Sequence, residues 1–240
     1  MKTQVMHQDH RCNSSKGFYF NPCDNKKGYK ITIFVDNKES WITPWAKKIR
    51  DITHAYHDVE LCFDKKDIKA GDIAFLLGCT KILSRKYLKK NKLNLVVHES
   101  KLPKGRGWSP VSWQILEGVN EIPIVLFRAD EGLDEGPVFL NDKILFDGTE
   151  LLPDIKKKQG IKTVEIVLKF LEQWPNLEAK DQKGKPSYYS KRTGADDQID
   201  INKTIAENFN HLRIVDNEHY PAWFEYKGHK YILKIYQQKK

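Results

Sequence analysis

NLVVHESKLPKGRGWSPVSWQILEG, residues 94–118, is the stretch on which the fold turns. It opens as a short continuous apolar run ending at His98, the pattern of a strand covered on both faces. KLPKGRGWSP follows, a loop whose prolines and glycines suppress regular structure, and then a helix around Ser109 to Glu117. Strand, loop and helix in that order are one unit of a parallel sheet, and they leave an imidazole suited to acid–base work at the strand's carboxyl end.

The same alternation extends in both directions. Upstream lie the strand KITIFVD ending at Asp36, a helix from Trp45 to His54, the strands VELCF and DIAFLLG, and a helical stretch ILSRKYLKK. Downstream come the strand IPIVLFRA ending at Ala129, an antiparallel arm GPVFLNDKILF, and a long helix from Leu151 to Trp174. The expected fold is α/β, a Rossmann-like and mostly parallel sheet flanked by helices, with ligands beyond the carboxyl ends of its strands. Residues 29–174 form this main domain, after an irregular leader over 1–28. The Pro-, Gly- and charge-rich segment 175–200 reads as a linker, and residues 201–240 as a small C-terminal α+β subdomain: a helix from Asn202 to Arg213 and two aromatic strands around a Lys-Gly-His turn.

With 40% apolar and 30% charged residues among 240, the chain is globular in composition, and no apolar run reaches the ~18 residues of a membrane span. MKTQVMHQDHRC has no apolar secretory core, so a cytoplasmic location is expected, and Cys12, Cys23, Cys62 and Cys79 are read as free thiols. His7, His10, Cys12 and Cys23 do not form the two tight ligand pairs of a structural zinc site, so no metal is expected. A net charge of +9 favours anionic partners without choosing among them, and the lysine clusters at 89–92, 156–158 and 239–240 read as solvated surface.

A second motif complements the strand-end histidine. ADEGLDEGPV, residues 129–138, places acidic residues and glycines at a strand end where the chain turns back. Together with HESKLPKGRGWSPVSWQILEG it resembles the signature of the 10-formyltetrahydrofolate-dependent formyltransferases, in order, spacing and wording over residues 93–140. Weaker likeness runs from Tyr29 to the end, including RTGADDQIDINKTI and HYPAWFEYKGHKYI.

The resemblance implies catalytic roles for His98 and Asp134 and 10-formyltetrahydrofolate as co-substrate, with no metal. It implies that Leu76, Leu77 and Gly78, with Ala129, Asp130, Glu131, Gly132 and Leu133, hold the pteridine. Ser100, Lys104, Arg106, Gly107 and Trp108 would flank the acceptor, with Arg106 binding an anion or holding its loop. The family asparagine two residues before the histidine is Val96 here. Asn94, the nearest replacement, shares the face of His98 but lies about 13 Å back along the strand, so it needs a bulge or bend to serve.

The spelling is most similar to bacterial amino-sugar N-formyltransferases of the pseudaminic-acid type, which implies a small-molecule, nucleotide-linked amino-sugar acceptor. About 40 residues follow the linker, fewer than the basic barrel of the tRNA enzymes, so neither nucleic acid nor membrane is expected as a partner. Open alternatives are a methionyl-tRNA formyltransferase-like enzyme, a formyl-folate hydrolase and an impaired folate-binding module. The aromatic tail strands suggest a homodimer.

Overall fold

The computed structural model describes residues 28–238. The leader save its last residue, with His7, His10, Cys12 and Cys23, and the terminal pair Lys239 and Lys240 lie outside the described residues.

The chain runs β1 (Lys30–Phe34), α1 (Thr43–Thr53), β2 (Asp58–Cys62), β3 (Gly71–Leu76), α2 (Arg85–Leu88) and β4 (Asn91–His98), then β5 (Arg106–Gly107), α3 (Pro110–Leu116), β6 (Glu121–Arg128), β7 (Val138–Leu145) and α4 (Leu152–Gln173). A two-residue strand β8 (Tyr188–Tyr189), helix α5 (Ile205–Arg213) and strands β9 (Ala222–Tyr226) and β10 (His229–Leu233) complete it. Six strands form one sheet in the order β2-β1-β3-β4-β6-β7. The first four are mutually parallel, and β6 and β7 join antiparallel.

The apolar runs explain the layers. Ile31, Ile33, Phe75, Leu95 and Leu126 are buried on one face under α1 and α4, whose Ala46, Ile49, Val164, Val167 and Phe170 meet them. Phe34, Ala74 and Leu76 are buried on the other face beside Ile68 and Leu83. Strands covered on both faces need no alternation, and each fully buried Ile or Leu contributes about 1.5–3 kcal/mol over its exposed state.

Three expectations need correction. The strand ending at His98, its loop and α3 are not a unit of parallel sheet, because β6 returns antiparallel beside β4, with His98 opposite Val125. ILSRKYLKK is helical only over Arg85–Leu88, because the preceding residues form a loop across the strand ends that buries Leu83 and is tied down where Asp36 accepts from the amide and hydroxyl of Thr80, at 2.6 and 2.8 Å. Segment 175–200 does more than link, since it crosses back over the sheet's carboxyl edge. Val138 and Lys180 exchange both backbone hydrogen bonds at 2.8 Å, and β8 pairs with β5 in the 103–108 loop. The composition that bars a helix leaves backbone groups free to pair elsewhere.

In the tail α5 begins at Ile205, three residues later than expected. Thr204 and Glu207 make a reciprocal capping box at the start of α5. Lys227 (φ 50°) and Gly228 (φ 78°) give the two positive dihedrals of a tight hairpin turn between β9 and β10. Arg213 is 1% exposed, donating to Asn120 at 3.1 Å and to Glu150 at 3.5 Å, which pins α5 to the main domain. No helix among the described residues is long and apolar enough to cross a membrane.

Gly160 lets α4 approach α1, since a Cβ there would lie 2.2 Å from the Trp45 indole. Gly160→Ala is therefore expected to cost about 1–3 kcal/mol by overpacking, read as a lowered midpoint in thermal unfolding.

Candidate functional site

The strand ends open into one cleft of about 290 Å³. Leu76, Leu77 and Gly78 line it from the end of β3, and Ala129, Asp130, Gly132, Leu133 and Asp134 from the turn between β6 and β7. His98, Gly107 and Trp108 stand between the two. Residues distant in sequence but expected to act together are thus brought together.

His98 is the last residue of β4 and 6% exposed. Its Nε2 lies 2.8 Å from the carbonyl oxygen of Gly105, which can only accept, so Nε2 carries the proton. Phe127 holds the ring edge-on at 6.5 Å between centroids. Nδ1 is then the basic nitrogen, and it faces Asp134 Oδ2 at 3.7 Å, beyond hydrogen-bond length but close enough to stabilise an imidazolium. The Gly105 carbonyl, not Asp134, therefore fixes the tautomer.

Asp134 takes a left-handed backbone (φ 53°), uncommon for a residue with a Cβ and best tolerated by Asp and Asn. The conformation accompanies a carboxylate turned toward His98, where Oδ2 accepts from the amide of Gly107 at 2.9 Å. Gly107 itself has φ 104°, and a Cβ there would lie 2.4 Å from the Tyr189 carbonyl oxygen, so only glycine permits this approach of the 103–108 loop to segment 175–200, which straps it down.

Other expected residues fall differently. Glu131 does not line the cleft, and instead pairs with Arg85 at 3.1 Å on the surface. Arg106 is held by Glu135 at 3.0 Å and Gln182 at 2.8 Å, so its guanidinium secures the loop and is not open to an anion. Lys104 is exposed outside the cleft, and Ser100 is buried behind the loop with no partner for its hydroxyl among the described residues. Asn94 donates its amide to the Leu88 carbonyl at 2.8 Å, which anchors α2 and removes it as a substitute for the asparagine. Val96 lines the cleft at that asparagine position.

The sequence reading missed a second wall of the cleft. Trp41, Glu99, Lys156 and Gln159 also line it. The Lys156 ammonium sits 4.2 Å from the Trp41 ring centroid and 3.2 Å from Gln159 Oε1, while Gln159 donates to Glu99 at 2.6 Å. Desolvation there pulls the Lys156 pKa down to about 8, with Glu99 opposing the shift and Arg192 adding to it. Lys156 therefore departs from the expected solvated cluster. Its signal was faint, a Lys four residues before Gly160 and thus near the α1 contact. Cys79 lines the cleft as well, but burial pushes its thiol up to about 12, which makes it a poor nucleophile.

The formyl transferase family model matches residues 31–171, which holds every residue of the cleft. A methionyl-tRNA formyltransferase of Caulobacter sp. (strain K31) is 26% identical over 198 residues, covering 80% of this chain; the chain spans 60% of that relative's length. A 4-N formyltransferase from Francisella tularensis superimposes with TM-score 0.70 at 19% identity, over 88% of this chain and 99% of that one. HypX from Aquifex aeolicus, solved in complex with tetrahydrofolic acid, gives TM-score 0.71 at 14% identity over 87% of this chain and 38% of that one. With more than half of its length matched by the family model, the chain belongs to the formyl transferase family.

Proposed function

We propose that this protein transfers a formyl group from 10-formyltetrahydrofolate to the amino group of a nucleotide-linked amino sugar of the pseudaminic-acid type. The observation that carries the reading is the His98–Asp134 pair at 3.7 Å, facing a cleft with an apolar wall. Leu76, Leu83, Val96 and Phe127 supply that wall and Asp130 a polar edge, which suits a planar heterocycle with polar rim atoms. The folate supplies an activated formyl carbon on a nitrogen that must leave with a proton.

The chain's own groups handle the protons. His98, protonated on Nε2 by its bond to Gly105, accepts the proton of the attacking amine at Nδ1. The imidazolium so formed is stabilised by Asp134, opposes the negative charge that develops on the formyl oxygen, and returns the proton to the leaving nitrogen. With valine at position 96, this cation carries the electrostatic role that an amide donor would otherwise share.

The sugar acceptor is supported by the likeness in fold to a sugar N-formyltransferase from Shewanella sp. FDAARGOS_354, 98% of which is covered, and by Lys156 and Lys81, which line the cleft. The second reading, transfer to methionyl-tRNA, has the Caulobacter relative as its support. Free Cys62 and Cys79 accord with a cytoplasmic location. The exposed Tyr226, Tyr231 and Ile232 of β9 and β10 support a homodimer, for which light scattering should give twice the chain mass.

Incubation with 10-formyltetrahydrofolate should give formyl transfer only when an amino-sugar nucleotide is added. Formate release without acceptor would mean a hydrolase, binding without turnover a folate-binding module, and transfer to charged initiator tRNA the second reading. His98→Asn and Asp134→Asn should each lower kcat by about two to four orders of magnitude with folding intact, and near-normal turnover in either would remove that residue from the mechanism.

Lys156 is a cation below its pKa of about 8 and neutral above it. If it anchors the acceptor's phosphates, the acceptor KM rises by about tenfold or more between pH 7 and 10, and Lys156→Gln has the high KM at both ends.

A further inference from the structure

Gln182 belongs to the segment that composition marks as a linker, and its side-chain amide is fully engaged. Nε2 donates to the carbonyl oxygens of Asp134 at 2.7 Å and Gly136 at 2.8 Å, while Oε1 accepts from Arg106 Nη2 at 2.8 Å. One amide therefore bridges the turn that carries Asp134 and the loop whose Gly105 carbonyl holds His98. Asp134 and Gly107 are joined directly as well, through the carboxylate and amide at 2.9 Å.

The chemistry of the position admits few side chains. Two carbonyl oxygens call for donors and a guanidinium calls for an acceptor, separated by the width of one amide. A glutamate of the same shape would satisfy Arg106 but turn an unprotonated oxygen toward both carbonyls. The segment itself does not depend on this residue for attachment. Lys180 pairs with Val138 on one side, and on the other Ser187 accepts from the amides of Gly105 and Arg106, at 2.9 Å each, with its hydroxyl and carbonyl oxygens.

We propose that Gln182 is a positioning residue for the transfer reaction: it clamps the 129–136 turn to the 103–108 loop and so sets the separation of Asp134 from His98. The proposal rests on the catalytic reading of that pair, but the clamp can be measured without turnover.

The test compares wild type with Gln182→Glu and Gln182→Ala by hydrogen exchange and by kinetics. Amides in peptides covering 104–109 and 130–137 should exchange about tenfold faster in both variants, while those of β1 keep the wild-type rate. With an acceptor that supports turnover, kcat should fall about tenfold or more with both KM values within about twofold, because geometry and not binding is lost. Unchanged exchange in the two peptides, or wild-type kcat despite faster exchange, overturns the proposal. So does acceleration that extends to β1, which would make Gln182 a general stabiliser. If Gln182→Glu does not fold, Gln182→Ala, which introduces no repulsion, decides alone. Should wild type transfer formyl to no acceptor, the functional reading fails while the exchange result still judges the clamp.

Discussion

The mutual orientation of His98 and Asp134 depends on how three consecutive residues, Gly105 to Gly107, are held. The carbonyl of Gly105 accepts a hydrogen bond from His98 Nε2 and the amide of Gly107 donates one to the Asp134 carboxylate, so one short backbone segment orients both groups. Hydrogen bonds between fixed backbone groups and ionisable side chains set tautomer and direction at little entropic cost. The segment has no regular structure of its own beyond a two-residue strand, and its rigidity is borrowed from β8 and from Arg106.

That borrowing explains why the C-terminal half of the chain matters to chemistry at the ends of β3 and β4. Tyr189 presses its backbone against Gly107, and Trp113 stacks on the Tyr189 ring at 12° while donating to the Ser190 carbonyl at 2.9 Å. Helix α3, the loop and the strap are thereby one packed unit. On the opposite wall the desolvated Lys156 lies in a different chemical environment, enclosed by an indole and an amide, so the cleft has a side carrying His98 and Asp134 and a side carrying Lys156.

Much of this was legible in the amino-acid sequence, and the parts that were not have a common cause. Continuous apolar runs identify strands covered on both faces, which put His98 and the turn at Asp134 at strand ends; that the two belong to one site came from the resemblance, because each alone also fits a structural histidine and a solvated turn. Strand alternation also placed Val96 on the face of His98. It could not say that the Asn94 amide is taken by Leu88, because that depends on where a one-turn helix settles. Gln182 lies 48 residues from Asp134 and 76 from Arg106, and a segment rich in Pro, Gly and Lys carries no periodicity to tell where it returns. Lys156 was hidden for a related reason: three consecutive lysines read as a solvated face, whereas Lys156 turns to Trp41 and Gln159 and Lys158 to the buried Glu150, leaving only Lys157 exposed.

In the proposed reaction the His98–Asp134 cleft holds the formyl donor with its reacting carbon beside His98 Nδ1. A crystal structure with a non-reactive 10-formylfolate analogue is the decisive measurement. The pteridine is expected between residues 76–78 and 129–134, with the formyl group within hydrogen-bonding reach of His98 Nδ1. A pteridine bound elsewhere, or a formyl group turned away from that nitrogen with His98 still bonded to Gly105, would contradict it.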